Sequence, residues 1–303
     1  MNRNPIGCIV LIFVLACAAT AQTGGGAPAK KPVARSHPNV LLVTIDTVRA
    51  DHVGCYGATT VKTPVIDALA RDGIVFERAL SQVPLTWPSH VAILTGTYPF
   101  HNGVQDFTGQ PLAADFRSVA QAFSDHGYAT AAVISSFVLN RSWGLARGFA
   151  HYDDAFSGNA FLESGVGLVE RKAEESVNRS LAWFHHRPAK PFFFWLHLYD
   201  PHSAYDPPEP FHSQYRDHLY DGEIAYADAQ LGRLIAWLKQ NHLYDNTAVV
   251  LLSDHGESLG EHGEKEHGFF VYNATLRVPL VIKPAAIGPR RQRVNQVVEI
   301  TAV

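Results

Sequence analysis

The order of apolar and polar positions divides residues 39–303 into alternating strands and helices. Residues 40–45 (VLLVTI) form a short, nearly unbroken apolar run, the mark of a strand buried on both faces. Thr63-Pro64 opens a helix, with proline at the first helical position, where its missing N–H costs nothing. Pro88 and Ser89 begin another, with Thr86 just before it. Phe116, Val119 and Phe123 share a helical face that Gly127 ends, and residues 129–134 read as the next strand. Val169, Ala173, Val177, Leu181 and Phe184 recur at helical spacing ahead of the strand 192–196. Ile224, Leu231, Leu234 and Leu238 do the same ahead of the strand 248–252, and residues 278–282 are the last clear strand. No segment repeats. The alternation predicts an α/β fold, a mostly parallel sheet with helices on both faces.

In such sheets ligands bind beyond the carboxyl ends of the strands. Asp46 follows the first strand, Asp200-Pro201-His202 the strand 192–196, and Asp254-His255 the strand 248–252. One polar residue in such a place is ordinarily a turn former or helix cap. Three strands delivering Asp or His to the same edge point to a shared site.

The composition, 47% hydrophobic and 17% charged, is that of a globular chain, and a net charge of −3 gives no reason for a nucleic-acid or anionic-membrane partner. The 16 histidines, many beside Asp or Glu, suit a metal or acid–base site. Arg3 precedes an apolar run over residues 6–19, too short to span a bilayer, and Ala19-Thr20-Ala21 offers a small-x-small cleavage site. The expectation is a signal peptide at 1–21, a flexible tether at 22–38 and an exported, periplasmic or extracellular protein with no integral membrane span. Lipoprotein processing at Cys17 is the alternative. With Cys8 and Cys17 in the leader, Cys55 is alone in the mature chain and no disulfide can form within it.

Carboxylates and neutral imidazoles suit Zn²⁺, while Mg²⁺, Mn²⁺ and Ca²⁺ prefer oxygen. In the acidic, His-rich stretch 253–267, Asp254, His255 and His267 are the ligand candidates, and Glu257, Glu261, Glu264 and Glu266 read as solvated loop charges. Thr86 supplies a hydroxyl at the positive end of a helix, where, beside a cation, it could ionise and attack phosphorus or sulfur.

The segment Asn39-Val-Leu-Leu-Val-Thr-Ile-Asp46 resembles the opening strand of sulfatases, in the alkaline phosphatase superfamily, and Thr63-Pro-Val-Ile-Asp-Ala-Leu-Ala-Arg-Asp-Gly73 their first helix. Thr86-x-Pro-Ser-His90…Thr95-Gly96 is similar to the nucleophile motif Cys/Ser-x-Pro-Ser-Arg…Thr-Gly. Ser253-Asp-His-Gly256 resembles the late metal motif and Arg277-Val-Pro-Leu280 the strand after it. The resemblance runs from Asn39 to the C-terminus and implies an alkaline phosphatase-like fold. It also implies one or two divalent cations (Zn, Mn, Ca or Mg). Asp46, Thr86, Asp254 and His255 would hold the first; Asp200, His202 and His267 are candidates for a second. Lys265-Glu-His267 resembles the Lys-x-His pair with which related phosphonate monoester hydrolases contact the substrate oxyanion. The implied catalytic set is Thr86, His202, Lys265 and His267, with His90, His202 and Lys265 contacting substrate.

Four positions depart from the family. Thr86 stands where sulfatases convert Cys or Ser to formylglycine; oxidised, it would give a ketone and not the aldehyde whose hydrate releases sulfate by elimination. His90 replaces the motif Arg, Thr47 the second Asp, and Ser135-Ser-Phe-Val138 the family's Lys-Trp-His. A phosphorylated Thr can still be cleared by in-line attack at phosphorus, and related phosphodiesterases and phosphoethanolamine transferases use Thr. The expected function is therefore a metal-dependent hydrolase of sulfate or phosphate esters that favours phosphate mono- or diesters, acting on a small-molecule, glycan or lipid ester. The alternatives are a transferase of phosphoethanolamine-type head groups to envelope glycans and a degraded family member retained for binding. Because the family usually continues into a smaller C-terminal subdomain, the catalytic domain 39–303 is expected to be incomplete.

Overall fold

The computed structural model describes residues 37–107, 110–156, 169–285 and 291–303. The expected signal peptide, Cys8, Cys17 and most of the tether lie outside them. The strands are β1 (Asn39–Ile45), β2 (Ile74–Leu80), β3 (Ala129–Val133), β4 (His151–Asp153), β5 (Phe192–Leu198), β6 (Thr247–Ser253), β7 (Arg277–Val278), β8 (Leu280–Lys283) and β9 (Gln292–Glu299). The α-helices are α1 (Pro64–Asp72), α2 (Thr86–Thr95), α3 (Pro99–Asn102), α4 (Val119–Asp125), α5 (Ala173–His186), α6 (Phe211–Gln214), α7 (Leu219–Gln240) and α8 (Asn273–Leu276). All nine strands join one sheet, in the order β4-β3-β5-β1-β6-β8-β2-β7, with β9 on β2. The block β4-β3-β5-β1-β6 is parallel throughout, as expected. Beyond it β8 runs antiparallel to β6 and to β2, β7 is antiparallel to β2, and β9 is parallel to β2.

Alternate side chains of the central strands go to opposite faces. Leu41, Val43 and Ile45 of β1 and Phe192, Phe194 and Leu196 of β5 pack with Ile66 and Leu69 of α1, Val177 and Phe184 of α5, and Leu231, Leu234 and Leu238 of α7. Leu42, Phe193 and Trp195 face Val91 and Leu94 of α2 and Ala120 of α4. Each such side chain contributes about 1.5–3 kcal/mol by leaving water, which makes this two-sided block the rigid base from which the strand ends project. No helix among the described residues is long and apolar enough to cross a membrane.

Several boundaries differ from the sequence reading, for local reasons. Phe116 precedes α4, which starts after Ser118; the Ser118 hydroxyl accepts the Gln121 N–H while the Gln121 side chain accepts the Ser118 N–H. Val169 lies before α5, although its side chain is buried. The last strand divides at Pro279, which has no N–H to give a ladder. The helix expected at Pro88 begins at Thr86 itself. β2, β4 and β9 were not anticipated: Glu77 and Arg78 interrupt β2, β4 has three residues, and β9 is mostly exposed, so none reads as a buried run.

Candidate metal and nucleophile site

Asp46 and Asp254 follow β1 and β6, whose residues pair in register up to Ile45 and Ser253, so the two carboxylates emerge side by side. The Asp46 N–H donates to the Leu198 carbonyl, extending the ladder with β5 by one rung. The chain then turns at Thr47, a β-branched residue held at φ 53° in the left-handed region. Such a conformation costs of order 1–3 kcal/mol and persists only where the surroundings enforce it. Here the Thr47 N–H donates to Asp254 Oδ1 at 3.3 Å, its hydroxyl to the Pro201 carbonyl, and its carbonyl accepts the Tyr220 hydroxyl at 2.7 Å.

Asp46, Asp254 and His255 are wholly buried, and each offers one ligand atom within 4.8 Å of the others. The His255 N–H donates to one oxygen of the adjacent carboxylate, Asp254 Oδ1, at 2.9 Å, whereas Asp254 Oδ2 and Asp46 Oδ1 have no hydrogen-bond partner. The His255 Nδ1–H donates to the Gly256 carbonyl at 2.9 Å, which leaves Nε2 with its lone pair 3.4 Å from Asp254 Oδ2 and 3.9 Å from Asp46 Oδ1. Two carboxylate oxygens without hydrogen-bond partners and an unprotonated imidazole nitrogen around one point fit a divalent cation. Without one, burial and the charge of Asp254 push the Asp46 carboxyl well above its ordinary range; burial raises Asp254 and holds His255 well below the usual imidazole value.

Thr86 closes the cluster. It is the first residue of α2, and its hydroxyl lies 3.3 Å from His255 Nε2. At 8% exposure it is the member of the four that solvent reaches. One turn on, His90 is completely buried. Its Nδ1–H donates to the Thr86 carbonyl at 2.7 Å, and its Nε2 accepts the Thr44 hydroxyl at 3.0 Å. Trp195 Nε1–H donates in turn to Thr44. His90, expected to contact substrate, is thus a support beneath Thr86 with both ring nitrogens engaged.

Around the mouth, His267 packs against His255 with ring centroids 4.4 Å apart, and His202 stands edge-on to His267 at 5.4 Å and stacks on Tyr199. Glu257, expected as a solvated charge, is fully buried: it accepts from His267 Nδ1 at 2.9 Å and from the Tyr205 hydroxyl at 3.0 Å. Burial lowers the His267 pKa, but Glu257 together with the charges of Asp254 and Glu266 raises it overall, while burial and the neighbouring His267 lower His202 to about 4. Glu264 is also buried, accepting the Phe269 N–H at 2.8 Å. Glu261 pairs with Arg49 at 2.6 Å, and Glu266 accepts the Ser203 hydroxyl at 3.0 Å. Lys265 is exposed, on a 470 Å³ cavity shared with Glu266, His267, Phe269 and Phe270.

Asp200, His202 and His267 do not form one ligand cluster among the described residues. Asp200 Oδ2 accepts the Ala173 N–H at 2.8 Å, at the start of α5, and Oδ1 lies 3.6 Å from Lys172 Nζ. Burial raises the Asp200 pKa although the helix N–H and Lys172 favour its charged form, and Oδ1 has no hydrogen-bond partner. His197, a lone His in the strand FFFWLHL with no role in the sequence motifs above, also reaches the site: its Nε2 lies 3.2 Å from Asp46 Oδ2. The signal available was a polar residue in an otherwise apolar buried strand.

Among curated proteins, the chain is 26% identical to iduronate 2-sulfatase of Mus musculus, matching 80% of this chain and 59% of that protein. It is 24% identical to an arylsulfatase of Clostridium perfringens, matching 81% and 68%. The chain therefore spans about three fifths of the length of the mouse relative. Among solved structures, its fold is similar to that of the phosphonate monoester hydrolase of Agrobacterium radiobacter (TM-score 0.72, 21% identity, 87% of this chain and 71% of that one). It is also similar to that of a protein solved with its substrate D-glucosamine-2-N,6-O-disulfate (TM-score 0.74, 18% identity, 88% and 75%). The family profile named Sulfatase matches residues 38–301, and the chain belongs to the sulfatase family.

Proposed function

We propose that this chain is the catalytic part of an exported, divalent-cation-dependent ester hydrolase in which Thr86 is the nucleophile and phosphate mono- or diesters are favoured over sulfate esters. The observation that carries the reading is the convergence of two buried carboxylate oxygens without hydrogen-bond partners, Asp46 Oδ1 and Asp254 Oδ2, with His255 Nε2, whose one hydrogen-bond contact is the Thr86 hydroxyl at 3.3 Å. A Zn²⁺, Mn²⁺, Ca²⁺ or Mg²⁺ ion held there would acidify the adjacent hydroxyl and offset negative charge on the ester.

The chain's own groups account for the rest. The position of Thr86 at the start of α2 points helix N–H groups toward developing negative charge. His267, whose pKa buried Glu257 helps to raise, is placed to stabilise an oxyanion or to give a proton to the leaving group; His202, with a pKa of about 4, is neutral near pH 7 and serves as a hydrogen-bonding partner instead. Lys265 is exposed on the cavity that His267 also lines. The methyl group of Thr86 blocks the aldehyde hydrate that lets sulfate leave by elimination, whereas a phosphothreonine remains open to in-line attack by water. The names of the relatives, sulfatases on one side and a phosphonate monoester hydrolase on the other, bracket that choice. The export leader at 1–21, the tether at 22–38 and the catalytic domain from 39 onward complete the proposal, and mass spectrometry of the mature chain should find it starting near Gln22.

The test is a matched set of aryl phosphate, aryl phosphodiester and aryl sulfate substrates with one leaving group, assayed with each cation in turn. Phosphate esters should turn over faster. Sulfate turnover equal to or above phosphate turnover would remove the phosphate preference.

A further inference from the structure

His197 is wholly buried near the carboxyl end of β5. Its Nδ1 accepts the backbone N–H of Ser135 at 3.2 Å. A nitrogen that accepts an N–H carries no proton of its own, so the neutral ring is protonated on Nε2. That N–H points at Asp46 Oδ2, 3.2 Å away. The accepting side is itself held in place: the Ser135 hydroxyl donates to the His197 carbonyl and lies 2.7 Å from the Ser176 hydroxyl of α5. The ring of His90 packs edge-on against His197, with centroids 4.9 Å apart. The imidazole thus has one orientation and one tautomer, and only one oxygen of Asp46 falls within its reach. The other, Oδ1, is the oxygen without a partner and the one nearest His255 Nε2.

We propose that His197 is a positioning residue for Asp46: its Nε2–H takes Oδ2 and thereby presents Oδ1 to the cation. The proposal rests on the reading that Asp46, Asp254 and His255 hold a divalent ion. Metal-ligating histidines are commonly oriented by a carboxylate behind them; in this chain the roles are exchanged, with the carboxylate as ligand and the imidazole as its support. The Ser135 N–H makes the arrangement directional, because a ring protonated on Nδ1 would face that donor with another donor and a flipped ring would face it with a carbon.

Two substitutions separate positioning from space-filling. In His197→Asn the side-chain oxygen can still accept the Ser135 N–H, but no donor reaches Asp46. In His197→Gln an amide N–H extends to about the former Nε2 position. Mn²⁺ is titrated into the full chain after chelation, with binding followed by calorimetry and the cation-free fold by circular dichroism and thermal midpoint. Binding by the Asn variant should weaken roughly 10- to 100-fold, and by the Gln variant less, with cation-free midpoints close to each other. Separately, long-range ¹⁵N–¹H correlation on the cation-free parent chain, and on the chain with diamagnetic Zn²⁺, should find His197 protonated on Nε2 and bare on Nδ1. Parent-like binding in both variants, or equal weakening in both, overturns the positioning role while leaving the cation site standing. A parent chain that binds Mn²⁺ no better than its Asp46→Ala/Asp254→Ala variant removes the cation reading and the proposal with it. Should the Asn variant not fold, the tautomer stands as an independent test: protonation on Nδ1 overturns the proposal.

Discussion

The strands β3, β5, β1 and β6 and the strands β2, β7, β8 and β9 belong to one sheet but are built differently. The first group is parallel, covered on both faces, and consists of runs such as NVLLVTI and FFFWLHL with nearly every residue buried. The second mixes directions, includes the two-residue strand β7, and ends in β9, whose residues are mostly exposed. The three carboxylate and imidazole residues of the candidate metal cluster, Asp46, Asp254 and His255, each follow a strand of the first group. Parallel strands deliver all their carboxyl ends to one edge, so side chains distant in sequence meet there; antiparallel neighbours end at opposite edges and cannot gather ligands in the same way. The second group contributes the hydroxyl beside that cluster: α2, which carries Thr86, follows β2, and Ser89 of α2 donates to the Asp254 carbonyl at 2.7 Å.

The comparison can be broken at its functional end first. Thr86→Ala should lower kcat by roughly 10³-fold or more if a covalent path is lost, with the fold intact. Steady-state kinetics on the preferred phosphate ester measures it, and full activity in the variant would end the nucleophile assignment. Next is the packing that holds the parallel half. Leu196→Ala in β5 removes a fully buried side chain and should cost about 2–5 kcal/mol in denaturant unfolding; a loss under about 1 kcal/mol would contradict a rigid central block.

In the chelated protein the carboxyls of Asp46 and Asp254 are raised above 3.8, chiefly by burial. Groups raised on folding give their full stabilising contribution below the unfolded pKa and lose it as pH climbs through the folded value. The pair should therefore make the chelated protein less stable on going from mild acid to neutral pH. Asp254→Asn should flatten that slope, and added cation should restore neutral-pH stability to the parent alone. Thermal melts across the window measure all three, and parallel slopes for parent and variant would show that the pair does not titrate as described. The smallest effect belongs to the other half: Val297→Ala in β9, at a side chain 48% exposed, should change stability by no more than about 0.5 kcal/mol. A cost comparable to that of Leu196→Ala would erase the contrast.

By itself the sequence determined the alternation of strands and helices, the parallel block and the strand-end placement of Asp46, Asp254 and His255, because apolar periodicity and the residue after a strand are local properties of the chain. The motif order from Asn39 to Leu280 also made the family legible. Only the tertiary structure decided how each polar side chain is used. Asp200 stands at a strand end just as Asp46 does, but it meets the Ala173 N–H and Lys172, 27 and 28 positions back in the sequence, and becomes a helix support. Glu257 lies in a run of acids that reads as solvated, yet the fold closes over it and joins it to Tyr205 and His267. Asp46 acquires His197 across 151 residues, and Asp254 the Thr47 N–H across 207. A carboxylate accepts any nearby donor with similar energy, so its role depends on which donors the packed elements bring within about 3 Å, and no local pattern encodes that distance.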